Sequence, residues 1–167
     1  MTLTELLLEA LLQEYVPSYE DDILDLAEDI TRLTTMINVL ENLNIECSDL
    51  KKSLNNYMNK WISLFVPLPR AHEALKYVKY ENVKPLWRII DYIGEDELYE
   101  LLVKMYSYYE LYTTANIDEE DLREIEKTLY ILWDMLVDDK LEFKVNIHNL
   151  DIAFAIMLHI LSASTLK

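Results

Sequence analysis

Three observations predict an all-α fold, a compact single-domain bundle of about seven to eight helices with short loops. Hydrophobic residues make up 51% of the 167-residue chain, enough for a substantial core; a domain of this length buries about 70% of its unfolded surface. One glycine and four prolines are too few for the turns of a β-rich fold of this size. Apolar residues recur at three- and four-residue spacing through most of the chain, the period of a helix with one buried face.

The first helix is expected over about residues 3–15. Thr2 and Glu5 form a T-x-x-E capping box before LLLEALLQEY, and Val16-Pro17 ends the run. Ser18 can cap the second helix, whose apolar positions Ile23, Leu26, Ala27, Ile30 and Leu33 continue through Met36, Ile37 and Leu40. Ser48 can cap a third helix, DLKKSLNNYMNKWISLF, stopped by the VPLP segment at 66–69. A short helix, RAHEALKYVKY, follows. Pro85 suits the first turn of the next, PLWRIIDYI, and Gly94 suits a left-handed cap at its end.

A long helix is predicted from 95 to 114, with Leu98, Leu101, Leu102, Met105, Tyr109 and Tyr112 as its stripe. Asp118 caps the helix after it, with Leu122, Ile125, Leu129, Leu132, Trp133 and Leu136 on one face. LEFKVNI at 141–147 alternates in part and reads as one short extended segment. The last helix, about 149–164, is apolar nearly all round, so it is either central in the core or covered by a partner. No internal repeat or long linker divides the chain, and residues 1–167 read as a single helical domain.

Catalytic signatures are absent, and an enzyme is not expected. Phosphate loops and dinucleotide fingerprints need several glycines so that backbone amides can approach phosphates, and only Gly94 exists. The residues three before His72, His148 and His159 are Pro69, Val145 and Ile156, so the Glu-x-x-His pattern of di-iron bundles is missing. Cys47 is the only cysteine, which excludes CxxC metal or redox motifs and an internal disulfide. His159 sits in an apolar run and reads as a packed core residue. No cofactor or metal is implied. The run IAFAIMLHIL is far shorter than the ~20 residues a membrane span needs, and the first fifteen residues lack the basic start of a secretory signal. These features predict a soluble, cytoplasmic protein without membrane contact.

Charge carries the main functional lead. Residues 1–50 hold one basic and twelve acidic side chains, net −11. Residues 51–88 hold eight basic and two acidic, net +6, and residues 89–167 six and seventeen, net −11. The acidic clusters fall at expected helix N-termini, where carboxylates interact favourably with the helix dipole. The basic block supplies Lys51, Lys52, Lys60, Arg70, Lys76, Lys79, Lys84 and Arg88, interleaved with aromatic residues including Tyr77 and Tyr80. Lysine and arginine neutralise phosphates and aromatic rings stack on bases, so these ten residues are the candidate surface for nucleic acid or an acidic protein partner. Trp61 and Trp87, among apolar neighbours, read as core.

The bland reading of the same block is that its cations pair with the chain's own acids, each exposed pair contributing only ~0–1 kcal/mol. A helix-turn-helix over 70–93 is disfavoured, since PLWRIIDYIG offers mainly Arg88 and Asp91 as polar reach where a base-reading helix presents three or four such side chains. In size and class the chain is similar to small helical subunits of nucleoprotein complexes, with no shared motif. The expected function is therefore a non-catalytic, RNA-binding or protein-binding assembly subunit that uses segment 51–88, with protein partners and homo-oligomers as further contacts. The alternative is an acidic inhibitor that mimics nucleic acid and blocks a nucleic-acid-binding protein.

Overall fold

The computed structural model describes residues 2–3, 23–65, 80–114, 116–138 and 150–165. Among them are six α-helices: α1 (Ile23–Asn42), α2 (Ser48–Ser63), α3 (Ile89–Ile93), α4 (Glu95–Thr113), α5 (Glu119–Leu136) and α6 (Leu150–Thr165). Single 3-10 turns occupy Tyr80–Asn82 and Leu86–Arg88, and no strand is present among the described residues. The count is six rather than seven to eight. Two of the expected helices, near 3–15 and 70–80, lie outside the described residues, as do the partner Glu5 of the N-terminal capping box, the Ser18 cap and the extended segment at 141–147.

Three local expectations need correction. PLWRIIDYI is not one continuous helix: Arg88 N–H donates to the Pro85 carbonyl at 3.2 Å, three residues back, so the segment starts as a 3-10 turn and becomes helical only from Ile89. Ser48 is the first helical residue rather than the cap. Cys47 holds the cap position without a capping bond from its side chain, and the Glu46 carboxylate accepts from the Ser48 N–H at 2.5 Å instead. Gly94 has the expected positive φ, +84°, but its ψ of 171° is extended rather than left-handed helical. It must end α3 and begin α4 in a single residue, with its N–H bonded to Ile90 and its carbonyl to Leu98.

That geometry is open almost only to glycine. A Cβ added at Gly94 would meet nothing within 4 Å, so Gly94→Ala is expected to cost only backbone strain, about 1–3 kcal/mol. Urea denaturation checks this. A loss below about 0.5 kcal/mol, the range of an ordinary surface change, would show that the turn relaxes freely.

Packing follows from which faces are apolar. α1 turns Leu26, Ile30, Leu33, Ile37 and Leu40 inward and packs mainly on α2 and α4. Its buried hydroxyls stay within the helix: Thr31 and Thr34 donate to the carbonyls of Ala27 and Ile30, each at 2.7 Å. Asn38 Nδ2 donates to Asp91 Oδ1 at 3.0 Å and ties α1 to α3. The last helix resolves the either-or of the sequence: Ala153, Phe154, Ala155, Ile156, Met157, Ile160, Leu161 and Ala163 are all buried. α6 is a central element, packed on α5 and α2. His159 on it is half-buried rather than enclosed.

Aromatic rings fill the junction of α2, α4 and α6. Phe65 lies 4.9 Å from Trp61 and 4.8 Å from Tyr109 between ring centroids. Phe154 in turn meets Tyr109 and Tyr112, each at 5.7 Å. Trp61 and Trp87 are core residues, as their neighbours suggested. A second fastening joins segments far apart in the chain. Val83 and Val137 form an isolated antiparallel bridge, with Lys84 N–H on the Leu136 carbonyl at 2.6 Å and Asp138 N–H on the Asn82 carbonyl at 2.7 Å.

Candidate docking surface

The ten candidate residues of the basic block have different fates. Lys51 is half-buried. It pairs with Glu41 on α1, and its ammonium stands 4.6 Å from the centre of the Trp87 ring. It thus joins α1, α2 and the 86–88 turn, and acts as a structural fastener. Lys84 pairs with Asp138 at 3.1 Å beside the Val83–Val137 bridge. For these two the bland reading holds. Lys52, Lys60 and Arg88 are exposed. Arg70, Lys76, Tyr77 and Lys79 lie outside the described residues; Tyr80 starts a 3-10 turn, and its side chain is outside them too.

What remains of the block as an exposed unit is one face of α2. Leu50, Leu54, Tyr57, Met58 and Trp61 are buried on its inner side. The turn of a helix, 3.6 residues, then places Lys52, Ser53, Asn56, Asn59, Lys60 and Ser63 together on the outer side. Five of these six line, with Tyr57, an open concavity of about 580 Å3. Lys60 Nζ lies 5.6 Å from the Tyr57 ring centre, so this cation rests on an aromatic edge of the concavity. Asn55, one position round, bonds Thr165 at the end of α6, and so anchors the helix to the core.

The chemistry of this face is donor-rich. Two ammonium groups and two carboxamides carry N–H donors and Ser53 a hydroxyl, while the Ser63 hydroxyl donates to the Lys60 carbonyl at 2.6 Å. No Asp or Glu occurs from residue 50 to residue 72, in a chain with 31 of them. The exposed faces of the other long helices contrast with it. α4 shows Glu95, Asp96, Glu97 and Glu100, and α5 shows Glu119 and Glu120. All but Glu100 occupy first helical turns, as expected, and Asp118 Oδ1 accepts from Asp121 N–H at 2.9 Å as the cap of α5. Asp118→Ala is expected to lower stability by about 1 kcal/mol, read from the urea midpoint; an unchanged midpoint would show that water replaces the cap at no cost.

Sequence reasoning picked the lysines of this face but missed Ser53, Asn56, Asn59 and Ser63. The available signal was the carboxylate-free run read at helical period, rather than basic residues counted alone.

Cys47 offers no reactive centre. It is buried between α1 and α2, 3.9 Å from Glu41 Oε1. Burial pushes its thiol above the ordinary range and the nearby Glu41 and Glu46 add to this, while Lys51 acts in the opposite sense. Since the thiolate is the nucleophile, alkylation at pH 8 is expected to be slow in the folded protein and fast in urea. Equal rates would show that the loop opens readily. Among the described residues no cluster of His, Cys, Asp and Glu is arranged to hold a metal ion, and no helix is long and apolar enough to cross a membrane.

Comparison with protein-family models, with curated proteins and with solved structures finds no match for this chain.

Proposed function

We propose that this protein is a non-catalytic helical assembly subunit that holds the phosphate backbone of a single-stranded nucleic acid on the outer face of α2, as part of a nucleoprotein complex. The observation that carries this reading is the carboxylate-free, lysine-bearing face itself. In a chain of net charge −16, an exposed helix side with Lys52 and Lys60, amides and hydroxyls between them, and no carboxylate for 23 residues is where an anion meets least repulsion. Lys52 and Lys60 stand about 12 Å apart along the axis, far enough to meet different phosphates of one strand. Ser53, Asn56 and Asn59 would donate to phosphate oxygens between them. No set of base-reading side chains accompanies them, so recognition would be of backbone rather than sequence.

The test is a titration of the full chain against labelled single-stranded RNA and DNA at two salt concentrations. Binding that weakens as salt rises, with a slope of about −0.7 per phosphate neutralised, is the expected result. Absence of binding at low salt overturns it.

A second reading is supported by the exposed carboxylates at the starts of α4 and α5. An acidic mimic would set such charges where a nucleic-acid-binding protein expects phosphates. It predicts no nucleic-acid binding and inhibition that survives removal of Lys52 and Lys60.

A further inference from the structure

A second surface, independent of the α2 face, lies between α4 and α5. Its origin is in the packing. α4 is held chiefly by α1, and α5 chiefly by α6. The two helices follow one another through the short connection 114–118, yet each directs its buried stripe to a different neighbour. The seam between them is left as a groove of about 250 Å3. Leu132 and Thr128 are buried at its base, and the half-buried Ile93, Leu101 and Met135 line it. Ile131 also lines it and is 37% exposed, an apolar side chain open to water. Tyr92 and Tyr130, next in sequence to Ile93 and Ile131, are exposed at 60% and 38%.

The rim is charged unevenly. Lys104 and Glu124 reach across the seam to each other at 3.4 Å, and so occupy one another. Lys127 adds one cation. Glu97 and Glu100 supply carboxylates on the α4 side, so the lining holds three acids against two lysines. Apolar walls with an acid-rich rim suit an amphipathic helix whose apolar ridge, at i and i+3 or i+4, is flanked by lysine or arginine. Charge complementarity selects this occupant over an acidic one, since like charges at the rim would repel. We infer that the α4–α5 groove is a docking site for a basic amphipathic helix of a partner protein.

The probe is a labelled synthetic helix of Leu and Lys in that pattern, compared with the same pattern in Leu and Glu, read by fluorescence anisotropy on the full chain. The Leu/Lys peptide is expected to bind and the Leu/Glu peptide to fail. Ile131→Asp, and separately Glu97→Lys with Glu100→Lys, are expected to weaken binding by roughly tenfold or more, the loss of an anchor contact. Glu119→Lys with Glu120→Lys, outside the groove, is expected to change it by less than about threefold. Circular dichroism confirms that each variant is folded. An equal loss in the control pair overturns the proposal, because it would mean general attraction of a basic peptide to an acidic protein. Binding that ignores Ile131→Asp overturns it as well. Self-association that Ile131→Asp abolishes, without Leu/Lys peptide binding, would assign the groove to a second copy instead.

Discussion

Phe154→Ala is expected to destabilise the protein by about 3–5 kcal/mol, the range for an aromatic side chain deleted from a core. Phe154 is fully buried on α6, the one long helix covered on nearly every side. Its ring is in contact with Tyr109 and Tyr112 of α4, and through Tyr109 with Phe65 just after α2. The deletion therefore removes buried area and leaves a void between three helices. Collapse to fill it is opposed by Ile156, Met157 and Ile160, which are already packed on other sides. Phe154→Leu, which keeps most of the volume, is expected to cost less than about 1.5 kcal/mol if the site repacks. Urea denaturation of both variants measures the difference. A Phe154→Ala loss below about 1.5 kcal/mol would mean that α6 is not the centre of the core.

The second large effect is on binding. Lys52→Glu with Lys60→Glu replaces two phosphate-neutralising charges by two repelling ones. The slope of log affinity against log salt is expected to shrink by about 1.4, about 0.7 for each lost phosphate contact, and affinity for single-stranded RNA at low salt to fall steeply. Both side chains are exposed, so the loss of stability is expected to stay within about 1 kcal/mol, the Lys60–Tyr57 contact included. Lys51→Glu separates docking from structure. It would place an acid against Glu41 and remove the cation from the Trp87 ring, so its effect is expected on stability, on the order of 1 kcal/mol or more. If Lys51→Glu lowered binding as much as the double change does, the outer face of α2 would not be the specific phosphate surface. Retained affinity in the double variant alone is enough to reject it.

The helices were legible because their causes are local. Asp118 three residues before Asp121 is a cap wherever the chain goes, and it is one here. Of the predicted α4 stripe, Leu98, Leu102, Met105 and Tyr109 are buried as their spacing requires, while Leu101 and Tyr112 are half-buried. The errors fell at helix ends, where competing local bonds are close in energy. At residue 48 the Glu46 carboxylate captured an amide that Ser48 was expected to serve. At Gly94 two helices meet with no linker, and φ alone matched the expectation.

The candidate surface was legible only as a list of charges. By itself, the sequence determined the all-helical class, most helix positions in the described segments, the lack of glycine-rich phosphate loops and the concentration of cations in residues 51–88. Tertiary structure alone decided which of those cations face solvent. Lys51 meets Glu41 ten residues back, and Lys84 meets Asp138 on a segment brought beside it by the Val83–Val137 bridge. It also decided that α6 lies at the centre, and that α4 and α5 part to leave a groove. The reason is the range of the forces. A helix is written by bonds and side-chain periods within four residues, whereas the partner of a lysine and the contents of a seam depend on atoms that only folding brings together.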